Sequence, residues 1–351
     1  MFFQTLEWLE VYWKHFGRDQ LLRVLIVGDP EKPVGILPLV VRTEQRRIGK
    51  VQVLTYPLDD WGPFYGPVSD RPRETLLAGL NYVRRSKKTW DLVEIRGVPN
   101  ADRDPAATDD VMASAGFHPR PSVRDVSAVI CLKGTWESYL AERTTKWRNN
   151  YRRWLRRLND AGTFRFQRFR PQGEQYNDID PRWDLYEICE QLAAVSWQGS
   201  STDGTTLSHD SIRDFLRAVH EVGSRMGCVD VTLLYSNDQP IVFAYNYVFQ
   251  GHINGLRVGY DPGMSKLSPG NLIYSLAIED SFKRGDQIFD LGPGSLDCKR
   301  SFCSGYEPVL QYTYYRPKAV RAQLLRLKDQ LQDWWHAPKQ LLEGANKTAT
   351  L

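Results

Sequence analysis

Long apolar runs are the first thing this sequence lacks. No stretch reaches the length of about 18 apolar residues that a membrane-spanning helix needs, so no span is expected. Histidine and cysteine are scarce, at six and five among 351 residues. The cysteines (Cys131, Cys189, Cys228, Cys298 and Cys303) are scattered and odd in number, which argues against a disulfide framework. No histidine lies near Cys298 and Cys303 in the sequence, so no metal is expected. Net charge is also small, at +4, too mild to point to nucleic acid as a general partner. The amino-terminal MFFQTLEWLEVYWKHF has no basic region followed by an apolar stretch. It reads as an amphipathic helix rather than a signal peptide, and a cytoplasmic location is expected. What the chain does have is core material: 42% hydrophobic and 12% aromatic residues, enough for two domains or one large one.

The most informative stretch runs from Gly255 to Phe302. A strand is predicted over 253–260, then a turn at Asp261-Pro262-Gly263 and a polar loop ending Ser268-Pro269-Gly270. From Asn271 onward, Leu272, Ile273, Leu276 and Ala277 fall at helical spacing. Lys283, Arg284 and Gly285 close that helix with cations and then a glycine. A second strand, 288–291, stops at Gly292-Pro293-Gly294. The helix amino terminus in such a unit offers unpaired N–H groups and the positive end of a dipole, which together bind phosphate. An ordinary βαβ unit with a tight loop and no ligand has the same local pattern. The glycines make neither a dinucleotide fingerprint nor a nucleotide P-loop.

The first half has the same order of elements. Strands at 22–27, 34–41 and 51–54 precede an Asp-, Gly- and aromatic-rich loop over 56–66. Helix 73–85 then carries Leu76, Leu77, Leu80 and Val83 on one face, and strand 92–95 follows. In the second half the strands are 231–235, 241–249 and 252–260, with helix 271–284 and strand 288–291. This is a repeat of pattern rather than of residues. The fold class expected is α/β (α+β), two modules in tandem, each a mixed, mostly antiparallel sheet flanked by helices. Ser69-Asp70-Arg71-Pro72 opens the first module's helix, and an aspartate there repels phosphate, so only the second module is expected to hold a cofactor.

Between the halves, 136–158 reads as one long helix. Its segment 143–157 carries seven cations: Arg143, Lys146, Arg148, Arg152, Arg153, Arg156 and Arg157. Trp147, Tyr151, Trp154, Leu155 and Leu158 share the other arc. Three readings stay open: a solvated face, a surface for an anionic substrate or nucleic acid, and a helix lying on a membrane. Beyond Tyr315, Val320, Leu324, Leu327 and Leu331 recur at helical spacing, for docking on the body or on a membrane surface. The expected division is a module at 1–135 without cofactor, a basic connecting helix at 136–165, a cofactor-binding module at 166–318, and a helix with frayed tail at 319–351.

The pieces RVGYDP, SPG, FDLG and CKRSF, in this order and spacing, resemble the acyl-CoA-binding core of the GNAT acetyltransferase superfamily. More narrowly they resemble its CelD-like (BcsL-like) branch, found near polysaccharide-synthesis genes and distantly similar to the FemAB peptidyltransferases. The resemblance extends over about residues 20–315 and implies a tandem-GNAT layout with acyl-CoA (acetyl-CoA) as co-substrate. It further implies an N-acyltransferase acting on an amine of a sugar, amino acid or polysaccharide precursor. Carried over position by position, Lys266, Ser268, Pro269, Gly270 and Asn271 would hold the pyrophosphate. The backbone of Val258 to Tyr260 would stabilise the acyl oxygen, with Gly259 admitting the acyl chain closely. The base that deprotonates the ammonium is Asp290, Tyr260 or Asp261, unless a water chain serves. Asp290 bonded to neighbouring backbone is the alternative for that residue. Lys299 and Arg300 would hold a carboxylate or phosphate of the acceptor unless they are solvated surface, and Asp60 and Trp197 are further acceptor contacts. Where the family commonly has an aromatic residue before that lysine, this chain has Cys298, and a cysteine nucleophile finds no histidine close in sequence. Two other functions stay open: FemAB-like transfer from aminoacyl-tRNA, favoured by 143–157, and a degenerate GNAT scaffold that binds a partner in exopolysaccharide synthesis.

Overall fold

The computed structural model describes residues 1–29, 31–57, 62, 64–201 and 206–331. In chain order they form α1 (Leu6–Phe16), β1 (Gln20–Asp29), β2 (Lys32–Arg46), β3 (Gly49–Thr55), β4 (Val68–Ser69), α2 (Pro72–Arg85) and β5 (Leu92–Val98). Then come α3 (Thr108–Ser114), β6 (Arg120–Cys131), α4 (Trp136–Glu142), α5 (Thr145–Asp160), β7 (Phe164–Phe169), α6 (Trp183–Val195) and α7 (Asp210–Arg225). The rest is β8 (Val229–Ser236), β9 (Gln239–Phe249), β10 (His252–Tyr260), α8 (Pro269–Arg284), β11 (Ile288–Asp290), α9 (Leu296–Lys299) and β12 (Gly305–Tyr315), with α10 over 320–331. Two compact units emerge, and they are interleaved along the chain. The smaller takes Phe16–Pro57, Gly66–Ser122 and the chain from Leu310; the larger takes Met1–His15, Leu58–Tyr65 and Val123–Val309.

In the smaller unit β1, β2 and β3 form an antiparallel meander, and α2 carries the chain over to β5, which pairs parallel with β3. The end of β12 then adds antiparallel to β5, from Leu310 opposite Val98 to Tyr315 opposite Leu92. Leu76 and Leu80 of α2 are fully buried, as their helical spacing requires. α10 docks by Ala319, Ala322 and Leu325 against Val51, Val53 and Leu92. The stripe expected to dock on the body or lie at a membrane surface does not dock on the body: Val320, Leu324, Leu327 and Leu331 are each at least half exposed. Two of the docking residues are alanines, which a search for large apolar side chains passes over.

The larger unit repeats the topology: β8, β9 and β10 run antiparallel, α8 crosses over, and β11 returns parallel to β10. β7 flanks β8, and β6 closes the other side antiparallel to β11. Each module therefore takes its closing strand from the other half of the sequence, β6 here and β12 in the smaller unit. A cut at 135 separates both of those strands from their partners, so the consecutive division expected from sequence does not follow the contacts.

The helix expected over 136–158 is two helices. Arg143 is extended (φ −77°, ψ 150°), and Thr144 caps α5 by accepting from the Trp147 N–H at 3.2 Å. Arg143 leaves the basic row: its guanidinium donates to the carbonyls of Phe302 (3.1 Å) and Cys303 (2.9 Å). Trp147, Tyr151, Trp154 and Leu158 are buried with Leu272, Ile273, Ala277 and Ile278 of α8, and Ile253 and Phe289 of the strands. At about 1.5–3 kcal/mol per buried large side chain, this arc holds α5 to the body. An apolar arc inside the core has nothing left to insert into lipid, so α5 is not a membrane-inserting helix.

Candidate active site

β11 is short, and its neighbours are not. Asp290 pairs with Val129 of β6 and with Asn254 of β10, and there the strand ends. The Leu291 N–H still reaches the Ala128 carbonyl (2.9 Å), and the chain then turns through Gly292 and Gly294, both at φ +77°. β10 continues to Tyr260 after a bulge, since Gly255 faces Asn246 and Arg257 faces Tyr245, leaving Leu256 as the extra residue. A Cβ at Gly255 would lie 3.0 Å from the Asp290 carbonyl oxygen, so glycine is what lets the two backbones meet just before they part. Beyond the end of β11 lies a cavity of about 790 Å³ in the larger unit.

One wall is the end of β10. The Asp261 N–H donates to Ile241 of β9 (3.0 Å), so by the two-residue alternation Val258 and Tyr260 turn their own N–H and C=O away from β9. The Val258 carbonyl accepts from the Trp197 indole (3.2 Å) and the Gln198 amide (3.4 Å). Val258, Tyr260 and Trp197 all line the cavity. Gly259 points the other way. A Cβ there would meet Phe243 at 2.6 Å and Gln198 at 2.9 Å, so its smallness admits the 196–198 turn, not an acyl chain.

The facing wall is the start of α8. Ser268 adopts the left-handed conformation (φ 56°, ψ 51°), and Pro269, with no N–H, is the first helical residue. The Asn271 and Leu272 amides donate to the Ser268 carbonyl (3.1 and 3.2 Å). Among the described residues the Gly270 N–H has no acceptor, and a Cβ on Gly270 would find only Tyr260 Cδ1, at 4.0 Å. Ser265, Ser268, Pro269, Gly270, Asn271 and Tyr274 line this side. Lys266 does not: residues Pro262–Leu267 form a 3-10 turn, and with three residues per turn Ser265 faces the cavity while Lys266 is exposed.

A buried ion network tethers the second half of α8 to β7 and β8. Arg168 of β7, almost fully buried, donates to Asp230 Oδ1 (2.9 Å) and Oδ2 (2.6 Å), to the Ala277 carbonyl (2.8 Å), to Asp280 (3.0 Å) and to Ser281 (2.9 Å). Arg170 joins Asp230 to Asp286 beyond the helix end. The two guanidiniums outweigh the burial of Asp230, holding its carboxyl well below the usual range.

The charges lie on the remaining side. Lys299 donates to the carbonyls of Gly292 and Pro293, both at 2.8 Å, and burial pulls its pKa down to about 8. Arg124 and Asp125 of β6, with Arg257 of the bulge, complete this wall. Asp290 does not reach the cavity. Its Oδ1 accepts from Ser127 and from the Gly292 N–H (2.7 Å), and burial pushes its pKa up, so it braces the turn after β11. Arg300 is exposed and outside the lining, because α9 turns it away from Lys299, whereas Cys298 does line the cavity. Asp60 lies outside the described residues. Arg124, Asp125, Gly255 and the Arg168 network were not found by sequence reasoning. The glycine at 255, inside a predicted strand, was the one local signal. Among the described residues, no group of three or more His, Cys, Asp or Glu is placed to hold a metal ion.

The family comparison falls on this site. Residues 145–300 match the family model described as the acetyltransferase (GNAT) domain, the CelD-like family. The matched stretch lies wholly within the larger unit. The match runs from the start of α5 to the residue after Lys299, and so takes in both uncharged walls of the cavity. No curated protein matches the chain. Among solved structures the chain is similar to FemX, at 10% identity, TM-score 0.57, and coverage of 90% of this chain and 92% of that one. It is also similar to L-PGS from Bacillus licheniformis, at 14% identity, TM-score 0.55, and coverage of 92% and 95%. At such identities the likeness is one of fold, a mixed α/β architecture. No helix of the described residues is long and apolar enough to cross a membrane.

Proposed function

We propose that this protein is an N-acyltransferase that moves an acyl group from acyl-CoA to an amine of a sugar, amino acid or polysaccharide precursor. The observation that supports this most is the gap beyond β11, with the unbonded Gly270 amide and the dipole of α8 on one side and the outward N–H groups of Val258 and Tyr260 on the other. In this reading Gly270 and Asn271 bind the donor's pyrophosphate, with the Ser265 and Ser268 hydroxyls beside them. The Val258 and Tyr260 N–H groups stabilise negative charge as it grows on the acyl oxygen. The amine nitrogen bonds to the thioester carbon and the C–S bond breaks. The ammonium gives up two protons in all, one to the departing thiolate and one to solvent. Asp290 is too enclosed to take them and Asp261, which accepts from the Gly263 N–H (2.8 Å), is outside the lining, which leaves water and the Tyr260 hydroxyl as carriers. Calorimetric titration with CoA, followed by thiol release from acetyl-CoA with a panel of amines, tests the reading. A folded protein that binds no CoA would sink it.

A second reading has an observation of its own. Lys146, Arg148, Arg152, Arg153, Arg156 and Arg157 on α5 have no carboxylate partner among the described residues. Arg157 also donates to the Lys266 carbonyl (3.5 Å), next to the cavity rim. Such a row suits a polyanionic donor, an aminoacyl-tRNA, and salt-sensitive tRNA binding without CoA binding would favour it.

A further inference from the structure

α5 turns its apolar arc into the core, and α10 does the reverse. Ala322 and Leu325 hold α10 to Val51, Val53 and Leu92 of the smaller unit, while Val320, Leu324, Leu327 and Leu331 stay at least half exposed. At about 100° per residue those four fall within roughly 60° of one another, on the side of the helix away from the docking residues. α10 is therefore apolar on two opposite sides, and the sheet covers one of them. Helices of that kind are covered on both sides when their surroundings are complete.

The charge beside the outer stripe is of one sign. On the same wheel Arg321 and Lys328 lie along one edge of it. Gln323 and Gln330 lie along the other, with Arg326 behind them and Lys318 just ahead of the helix. Arg321 donates to the Lys50 carbonyl (2.7 Å), and none of these four cations has a carboxylate partner among the described residues. Asp329 is the one acid within 320–331, and it is turned inward, where it accepts from the Tyr315 hydroxyl (2.6 Å). A second copy of α10 set stripe to stripe would bring cations against cations or glutamines, with no acid on either edge to pair them. Anionic headgroups supply the missing counter-charge along both edges.

We propose that α10 lays its outer stripe on an anionic lipid surface. Val320, Leu324, Leu327 and Leu331 enter the boundary of the acyl chains, and Lys318, Arg321, Arg326 and Lys328 meet the headgroup phosphates. The helix lies along the surface and does not cross it, for none of the described residues form a helix long and apolar enough to do so. This association is independent of the donor that the cavity takes.

The test is co-sedimentation of the full chain with vesicles of phosphatidylcholine alone and of equal parts phosphatidylcholine and phosphatidylglycerol. Wild type should bind the anionic vesicles at least about tenfold more tightly, and added salt should weaken that binding. Leu324→Gln with Leu327→Gln should lower binding to them at least about tenfold. Arg326→Gln with Lys328→Gln should lower it about twentyfold, near fivefold for each cation. Both pairs lie outside the core, so circular dichroism and thermal denaturation should be unchanged. Wild type that binds neither kind of vesicle would overturn the proposal. Anionic binding that survives the leucine changes would assign it to another basic surface, α5 among them, and overturn it too. So would a wild-type dimer in analytical ultracentrifugation that the leucine changes dissociate, because a second copy then covers the stripe.

Discussion

Gly270→Asp separates donor binding from folding. Gly270 is the second residue of α8, and its Cβ position is open, with Tyr260 Cδ1 at 4.0 Å the nearest atom. Replacing glycine by aspartate inside a helix gains only about 0.3 kcal/mol of propensity, since aspartate is itself a poor helix former. A negative side chain in the first turn gains about 0.3–1 kcal/mol from the helix dipole. The variant should therefore fold at least as well as the parent. Donor binding should respond in the opposite sense. A carboxylate about 5 Å from a phosphate charge, at an effective dielectric near 20, costs about 3 kcal/mol, or about two orders of magnitude in affinity. Calorimetry with CoA measures the loss and thermal denaturation measures the stability. Gly270→Ala adds bulk without charge and should lose less. Pro72→Asp, at the start of α2 in the smaller unit, should leave CoA affinity alone. A folded Gly270→Asp protein that binds CoA with wild-type affinity would refute the assignment of α8.

Arg168→Met should cost about 3–5 kcal/mol in urea denaturation, because it leaves the wholly buried Asp230 with Arg170 alone. Since α8 loses its tether, CoA affinity should fall as well, and unchanged stability would show the network to be dispensable. His220 is buried, accepts from the Tyr245 hydroxyl (2.9 Å) and donates to the Pro181 carbonyl (2.7 Å), and burial lowers its pKa to about 4. Its folded pKa lies below the unfolded value near 6.5, so its stability contribution is complete above about pH 6.5. It should be lost at up to about 1.4 kcal/mol per pH unit as pH falls toward 4. His220→Phe should flatten that slope between pH 6.5 and 5, and an equal slope in both proteins would refute the assignment. Arg152, Arg153 and Arg156 changed together to Gln should alter stability by no more than about 0.5 kcal/mol. If α5 holds a polyanion, the same change should lower the salt slope of tRNA binding by up to about 3; no tRNA binding by wild type returns the row to a solvated face.

What the sequence made legible was local. The run from Ser268 to Gly285 shows both ends of α8, because a proline at the start and cations with glycine at the end act within one turn of themselves. The repeat of hairpin, strand, helix and strand was legible for the same reason, since side-chain periodicity needs no knowledge of what lies across the fold. The closing strands were not. β6 and β12 look like any apolar segment, and which module each completes depends on pairing between distant parts of the chain. Asp290 carried a false signal for a similar reason. A carboxylate at the end of a strand beside a cofactor helix reads as a base until Ser127, 163 residues away, is found hydrogen-bonded to it. Gly259 misled by parity, for one residue along β10 reverses the face, and the reason for a glycine lies in the atoms opposite it. Lys299 was found, but its company was not: Arg124 and Asp125 come from a strand more than 170 residues earlier, in a segment with no motif of its own. The two uncharged walls of the cavity are built from backbone and a helix end and leave a local trace. The charged wall is built from side chains that only the sheet brings together, so it is the part of the cavity that had to be read from the fold.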